Sequence, residues 1–479
     1  MLRKKPTLAD QQDMFSRRLG QSADFTAREC CIGSERLPAV LLWIDGLVDK
    51  KLLNRTAIGP LISMQGPLLS ERSLEDCLDH LCKSVITSSE AKVVPSIEEA
   101  LPLLVNGWTI LLAEGCPGMA AINTEGFDKR GIEEASSSTV VRGPRDGFVE
   151  ALEVNISLVR RRIRSDAVRV DKLSIGSISH TGVALLYIQD RAKPELVQEI
   201  MNRLSKLKID GVLESQYIEE LIKDSPRSFF PTVYSTERPD DIAGVLLEGR
   251  IAILVDGSPF ALALPCTLAH LLKTTEDLYM AYPLATFVRW LRYVGFLVNL
   301  LLPSIYVGTL TFHPEMVPPQ LLSSILTARD GVPFPLLLET LIMELTFEVL
   351  REASVRMPRS IGSAISIVGA LVIGESAVQA GIISSPAIIV VAGTAIASFT
   401  IPSISLSGTI RILRFGMMLL ASMSGLYGIM IGCFLVGIHL ASLKSLGMPY
   451  LAPFAPYRKT EFMKLVFRVP WFTLNRNRK

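Results

Sequence analysis

Four glutamates stand in one apolar run. In FPLLLETLIMELTFEVLREA (334–353) they are Glu339, Glu344, Glu348 and Glu352, set among Leu, Ile, Met and Phe. Positions 344, 348 and 352 step by four and share one face of a helix; Glu339 lies about 140° from Glu344 and flanks that stripe. A carboxylate in lipid is costly, so these acids must face water, a partner or a cavity. Two chemistries fit. The helix can be amphipathic, lying at a membrane surface or a subunit contact. It can also line an ion path, where symmetric repetition would make carboxylate rings that favour cations. Arg351, Arg356 and Arg359 lie within or just beyond the run and can pair with the acids or hold phosphate headgroups. Glu375 joins the candidates as the one charged residue between Ile361 and Ile410.

Other chemistries lack their residues. RGPRDG (142–147) has glycines but neither G-x-x-x-x-G-K-[ST] nor G-x-G-x-x-G, so it reads as a turn between modules. The five histidines have no metal-ligand spacing, and no serine sits in G-x-S-x-G. Asp240 and Asp241 are adjacent and read as a solvated, helix-capping pair. Seven scattered cysteines give no disulfide or zinc framework and fit a reducing compartment. A net charge of +2 over 479 residues gives no basis for nucleic-acid binding. The expectation is no catalytic site, no metal and no cofactor.

The elements that must position the glutamates form a membrane domain over 258–443. Uncharged or nearly uncharged runs of crossing length lie at about 293–312, 361–380, 383–401 and 415–443. Helix 334–352 is partly embedded among them. Ala370 and Gly374 form a small-xxx-small pair, and Gly428 and Gly432 a GxxxG; both allow close helix contact. PFALALPCTLAHLL (259–272) is too short and proline-broken for a span and reads as an interfacial or buried lead-in. Arg289 and Arg292 before the first run place that end in the cytoplasm, and Arg411 and Arg414 mark a cytoplasmic loop. The topology stays open: four spans bring both ends inside but leave 351–359 outside, whereas a crossing at 334–350 repairs that loop and sends the basic tail, 444–479, out.

The first 250 residues are ordinary soluble sequence. Residues 1–35 read as an arm. Module 1 covers 36–148, with AVLLWIDGLV (39–48) a strand and SLEDCLDHLCKSVI (73–86) a helix. Module 2 covers 149–257, with EALEVNISLVRRRI (150–163) a helix, and VALLYIQ (183–189) and the apolar part of GRIAILVDG (249–257) strands. The fold class is α/β amino-terminal modules followed by an all-α multi-span membrane domain.

Several segments carry a family resemblance. EGRIAILVDGSPFAL (248–262), LLPSIYVGTLTFHPEMVP (301–318), residues 329–374 and AVQAGIISSPAIIVVAGTAIASFTIP (377–402) resemble the A-subunit family of bacterial spore germinant receptors. RGPRDGFVEALEVNISLVRRRI (142–163) and STERPDDIAGVLLEGR (235–250) are similar to it as well. The resemblance implies a multi-pass protein of the spore inner membrane with cytoplasmic amino-terminal modules. It implies a transporter-like B subunit that binds the nutrient, a C-subunit lipoprotein, and homo-oligomerisation, with a pentamer expected, into a nutrient-gated cation channel among membrane lipids. The alternative is a non-conducting scaffold that couples sensing by a partner to germination. The chain departs from the family pattern at Ala135 and Ser138, where proline and glutamate are usual, and at Glu375, where glutamine is expected.

Overall fold

The computed structural model describes residues 7–65, 74–126, 142–356 and 374–470. The chain forms two units, Met1–Pro226 with Val233–Pro265, and Arg227–Thr232 with Cys266–Lys479.

The first unit carries two antiparallel five-stranded sheets. Strands β1 (Phe25–Ile32), β2 (Leu37–Ile44), β3 (Ala91–Val94), β4 (Trp108–Ala113) and β5 (Met119–Asn123) lie in the order β1-β2-β4-β5-β3. Strands β6 (Val168–Ile175), β7 (Thr181–Ile188), β8 (Tyr234–Thr236), β9 (Ile251–Val255) and β10 (Ala261–Leu264) lie in the order β6-β7-β9-β10-β8. The first sheet is buried on both faces. Alternate residues of β2 point to opposite sides: Ala39, Leu41 and Trp43 enter one core, Val40, Leu42 and Ile44 the other. The second core is closed by Phe15 of α1 (Leu8–Arg18) and by Ile97, Leu101 and Leu104 of α2 (Ile97–Leu104). On the second sheet, α3 (Leu152–Arg162) contributes Ile156 and Val159, and α6 (Pro239–Leu247) contributes Ile242 and Leu246. Helices α4 (Pro194–Ser205) and α5 (Ser215–Ile222) lie between β7 and β8 in the chain.

The two sheets repeat one design. Each is a hairpin, an edge strand, a helix and a second hairpin, and the strand orders correspond one to one. SIEEALPLLVNGWTILLAEGCP (96–117) then matches RPDDIAGVLLEGRIAILVDGSP (238–259) at a constant offset. Gly107 and Gly249 occupy equivalent turns at φ +90° and +82°. A Cβ at Gly107 would meet the Leu47 carbonyl oxygen at 2.7 Å, and one at Gly249 the Arg191 carbonyl oxygen at 2.6 Å. Only glycine accommodates that backbone and that approach.

The structure revises three readings in this unit. Residues 8–32, expected as an arm, hold α1 and the edge strand β1. The burial of β1 does not alternate cleanly, which hides it from a period-two search. The second sheet runs to Leu264, so part of the expected membrane lead-in is β10. Asp240 and Asp241 are buried, not solvated. Asp240 accepts from Arg238, and Asp241 accepts from Thr236 Oγ1 at 2.9 Å and Tyr234 OH at 3.1 Å. Burial, with the neighbouring Asp240 charge, pushes the Asp241 carboxyl up to about 6.

The two sheets are joined by a buried lock. Arg160 of α3 donates from Nε to Asp24 Oδ2 and from Nη2 to Asp24 Oδ1, both at 2.8 Å, and its Nη2 also reaches Ser22 Oγ. Ser22 Oγ accepts from Val170 N on β6, and Ala23 N donates to Val170 O.

The second unit is helical. It contains α7 (Tyr282–Phe312), α8 (Pro319–Arg329), α9 (Leu336–Arg356), α10 (Ser385–Ser398), α11 (Ile404–Ser442) and α12 (Lys459–Val466). Helices α7 and α11 contain stretches apolar enough to cross a membrane. Helix α11 is not one rod. Gly425 sits inside it at φ 62°, ψ −137°. A Cβ on Gly428 would come within 2.0 Å of the Leu420 carbonyl oxygen, and one on Gly432 within 2.4 Å of Met417 Sδ. In a straight helix, residues eight apart are separated by about 12 Å. The chain therefore folds back at Gly425 into two arms, 404–424 and 426–442. The run expected as a single span over 415–443 is the end of the first arm and the whole returning arm of a helical hairpin, with Gly428 and Gly432 packed against the first arm.

Contacts set the helix directions. Gly295 lies against Thr400, and Gly393 near Leu302, so α10 runs opposite to α7. Asn299 meets Arg414, and Gly308 touches Gly425, so the first arm of α11 runs alongside α7. The second arm returns.

Candidate functional site

Helix α9 begins just after Pro335, which cannot continue a preceding helix, and carries the acidic stripe down an otherwise apolar surface. The structure separates the four acids. Glu344 and Glu348 meet the first arm of α11. Arg414 Nη2 lies 2.9 Å from Glu344 Oε2 and 3.3 Å from Glu348 Oε1. Its Nη1 donates to Asn299 Oδ1 of α7 at 3.1 Å. Arg411 Nη1 donates to Glu348 Oε2 at 2.9 Å, and Arg351 Nη2 reaches the same oxygen at 2.6 Å. The Glu344 and Arg414 side chains are each only 1% exposed. Three helices thus converge on one cluster of two carboxylates, three guanidiniums and an amide.

The cluster is compensated but not saturated. Glu344 meets Arg414 as a charge contact, and neither of its oxygens accepts a hydrogen bond from the described residues. Asn299 Nδ2 and Arg414 Nε are likewise buried without an acceptor among the described residues. Donors and acceptors left over inside one polar pocket suit bridging water.

The other acids go elsewhere. Glu339 is fully buried, but its Oε1 accepts from the backbone N–H of Ser384 at 2.7 Å and from Ser384 Oγ, and its Oε2 meets Arg329 Nε at 3.3 Å. It fastens the start of α9 to the segment entering α10. Glu352 is exposed and pairs with Arg356 one turn on. Glu375 is exposed and accepts from Gln379 Nε2 at 3.1 Å. Gly374 is buried, with Ile388 Cδ1 3.9 Å from where a Cβ would stand. Arg359 and Ala370 lie outside the described residues, as does most of the expected span 361–380.

Arg411 and Arg414, expected as loop markers of the cytoplasmic side, lie within α11 and face the acids. Asn299, Arg329 and Ser384 also escape a sequence reading. The available signal was complementary spacing: Glu344 and Glu348 are four apart, Arg411 and Arg414 three apart, and both spacings put charges on one helix face.

A second buried cluster fixes the start of α7. Asp277 accepts from Arg292 Nη2 at 2.5 Å, Arg292 Nη1 at 3.0 Å and Arg289 Nε at 3.2 Å. Arg289 Nη1 also donates to the carbonyls of Lys464 and Leu465. The carboxyl-terminal segment is thereby tied to the first turns of α7.

Comparison with known proteins decides the family. The profile of the Bacillus/Clostridium GerA spore germination protein matches residues 13–479. The chain belongs to this family. Among its relatives, spore germination protein KA of Bacillus subtilis (strain 168) is 40% identical over 470 residues, 98% of this chain and 85% of that protein. Spore germination protein B1 of the same organism is 38% identical over 470 residues, 98% of this chain and 96% of that protein. Among solved structures, the N-terminal domain of the A subunit of the Bacillus megaterium spore germinant receptor GerK3 is similar at 29% identity and a TM-score of 0.42, covering 55% of this chain and 95% of that one.

Proposed function

We propose that the chain is the A-type subunit of a nutrient receptor that triggers spore germination, and that it conducts monovalent cations as a homo-oligomer. Family membership supports the germination role. The conducting role rests on the Glu344–Glu348–Arg414 cluster. Ionisable side chains among membrane-length helices are expensive and mark a functional path. In this reading the described arrangement is the closed one. Arg411 and Arg414 neutralise the carboxylates. Gating withdraws the arginine-bearing arm, and symmetry then presents rings of Glu344 and Glu348 to cations.

The same proposal includes a transporter-like B subunit that binds the nutrient, a C-subunit lipoprotein, residence in the spore inner membrane, and cytoplasmic amino-terminal sheets. It also includes several crossings. The alternating directions of α7, α10 and the two arms of α11 support an even number, because α10 runs back along α7 and the second arm of α11 runs back along the first. The carboxyl-terminal segment then meets the start of α7, as its hydrogen bonds to Arg289 require.

The test is cation release from spores challenged with a broad nutrient mixture. An E344Q/E348Q variant that assembles normally is expected to release less. Unchanged release would reject the two acids as the conducting wall. A non-conducting scaffold is the second reading, favoured by the charge balance of the cluster: three arginines against two glutamates would rivet three helices together. The R411Q/R414Q variant separates the two. Both readings expect the helical unit to lose stability; a channel also leaks without nutrient, and a scaffold does not.

A further inference from the structure

We propose that α12 and the opening turns of α7 form one docking surface for the anionic headgroup layer of a bilayer. The inference rests on reading α7 as a membrane crossing. Its 31 residues rise about 46 Å, against about 30 Å of hydrocarbon. The uncharged stretch 293–312 fills that thickness alone, so 282–292 stands in the headgroup region.

That end has the chemistry of an interface. Tyr282, Phe287 and Trp290 are exposed on α7, and Trp290 packs edge-on against the exposed Phe467 at 5.6 Å. Aromatic side chains gather where hydrocarbon meets headgroups. The carboxyl-terminal segment is held in register beside them. Trp290 Nε1 donates to Val466 O, Tyr293 OH to Leu465 O, and Arg468 N to Thr286 Oγ1. Helix α12 presents Met463 with the exposed Lys459 and Lys464. Over the described residues, α12 and its flanks carry Arg458, Lys459, Lys464 and Arg468 against one acid, Glu461. A short amphipathic helix with this charge, fastened beside an aromatic belt, lies in the membrane plane and attracts anionic lipid. Because Arg289 and Arg292 share Asp277, lipid held by α12 steadies the entry of α7 as well.

The experiment reconstitutes the full chain into nanodiscs of phosphatidylcholine alone, or mixed equally with phosphatidylglycerol, and follows hydrogen exchange. In wild type, phosphatidylglycerol is expected to slow exchange of 459–466 by roughly tenfold, with a smaller gain over 282–292. K459E/K464E changes two exposed lysines and is expected to lose the gain while 293–312 stays protected in both discs. Equal exchange of wild type in both discs would overturn the proposal, as would a gain that survives K459E/K464E. So would free glycerol phosphate reproducing the gain in phosphatidylcholine discs, which would mean a soluble-anion site. Failure of the crossing itself reads out separately, as a chain that does not enter discs and exchanges freely over 293–312, and would overturn both readings.

Discussion

Arg414 and Glu344 illustrate why burial changes what a charge does. Each side chain is almost fully enclosed, and each is the other's nearest counter-charge. Removing one partner from a buried pair costs roughly 3–5 kcal/mol because the other charge is left without compensation. R414M is therefore expected to destabilise the helical unit by about that amount. A double-mutant cycle with E344Q should return a coupling of about 1–3 kcal/mol in detergent unfolding; additive single effects would contradict the pairing. Asp241 makes a second residue-scale prediction. Its carboxyl is raised to about 6 in the fold, above the ordinary value near 4. The folded state therefore holds a proton that the unfolded state releases, and stability falls as pH rises from about 4 to about 6. D241N removes this slope. The wild type should lose up to about 3 kcal/mol relative to D241N across that window in urea unfolding; a constant difference would refute the assignment. The acidic stripe was legible from spacing alone. Its splitting was not, because Glu352 and Glu348 differ only in what stands opposite, and Arg411 and Arg414 come from sequence more than sixty residues away.

At the scale of elements, Gly425 makes the hairpin. Its φ and ψ lie in a region essentially reserved for glycine, costing about 1–3 kcal/mol for other residues. A Cβ there would also stand 2.8 Å from Phe312 Cβ. G425A is expected to lower the thermal midpoint of the helical unit, and G428L to do so more strongly by forcing the arms apart at Leu420. Equal midpoints for G428L and wild type would contradict the fold-back. The sequence displayed the Gly428–Gly432 packing pair, but a continuous uncharged run of 29 residues resembles one long helix. A single glycine does not betray a reversal, since glycine also sits in helix interiors. The same holds for the two sheets. Gly107 and Gly249, and the Glu114-Gly115 and Asp256-Gly257 turns, were visible one at a time. Their common offset appears only when whole segments are compared, and the stretches between the strands differ: β7 and β8 are linked through α4 and α5, β2 and β3 through shorter helical segments over 50–63 and 74–85. Strands such as β9, a short run of apolar residues between glycine turns, were plain. The edge strand β1, with weak alternation, was not.

At the scale of the molecule, the chain has a sheet-rich unit and a helical unit, and in the helical unit the carboxyl-terminal segment meets the start of α7. In a variant lacking the exposed Cys31 and Cys433, S424C at the hairpin tip and K459C on α12 are expected to react with impermeant maleimide from opposite sides of a sealed vesicle. Labelling of both from one side would undo the crossing count. The central claim is gated conduction, and the most direct measurement is monovalent-cation flux in liposomes holding this chain with its two proposed partner subunits, before and after a nutrient mixture is added. The account predicts no flux at rest, a nutrient-triggered flux weakened by E344Q/E348Q, and a nutrient-independent flux in R411Q/R414Q. Absence of flux from well-assembled wild-type complexes would contradict it and assign the chain to the scaffold role.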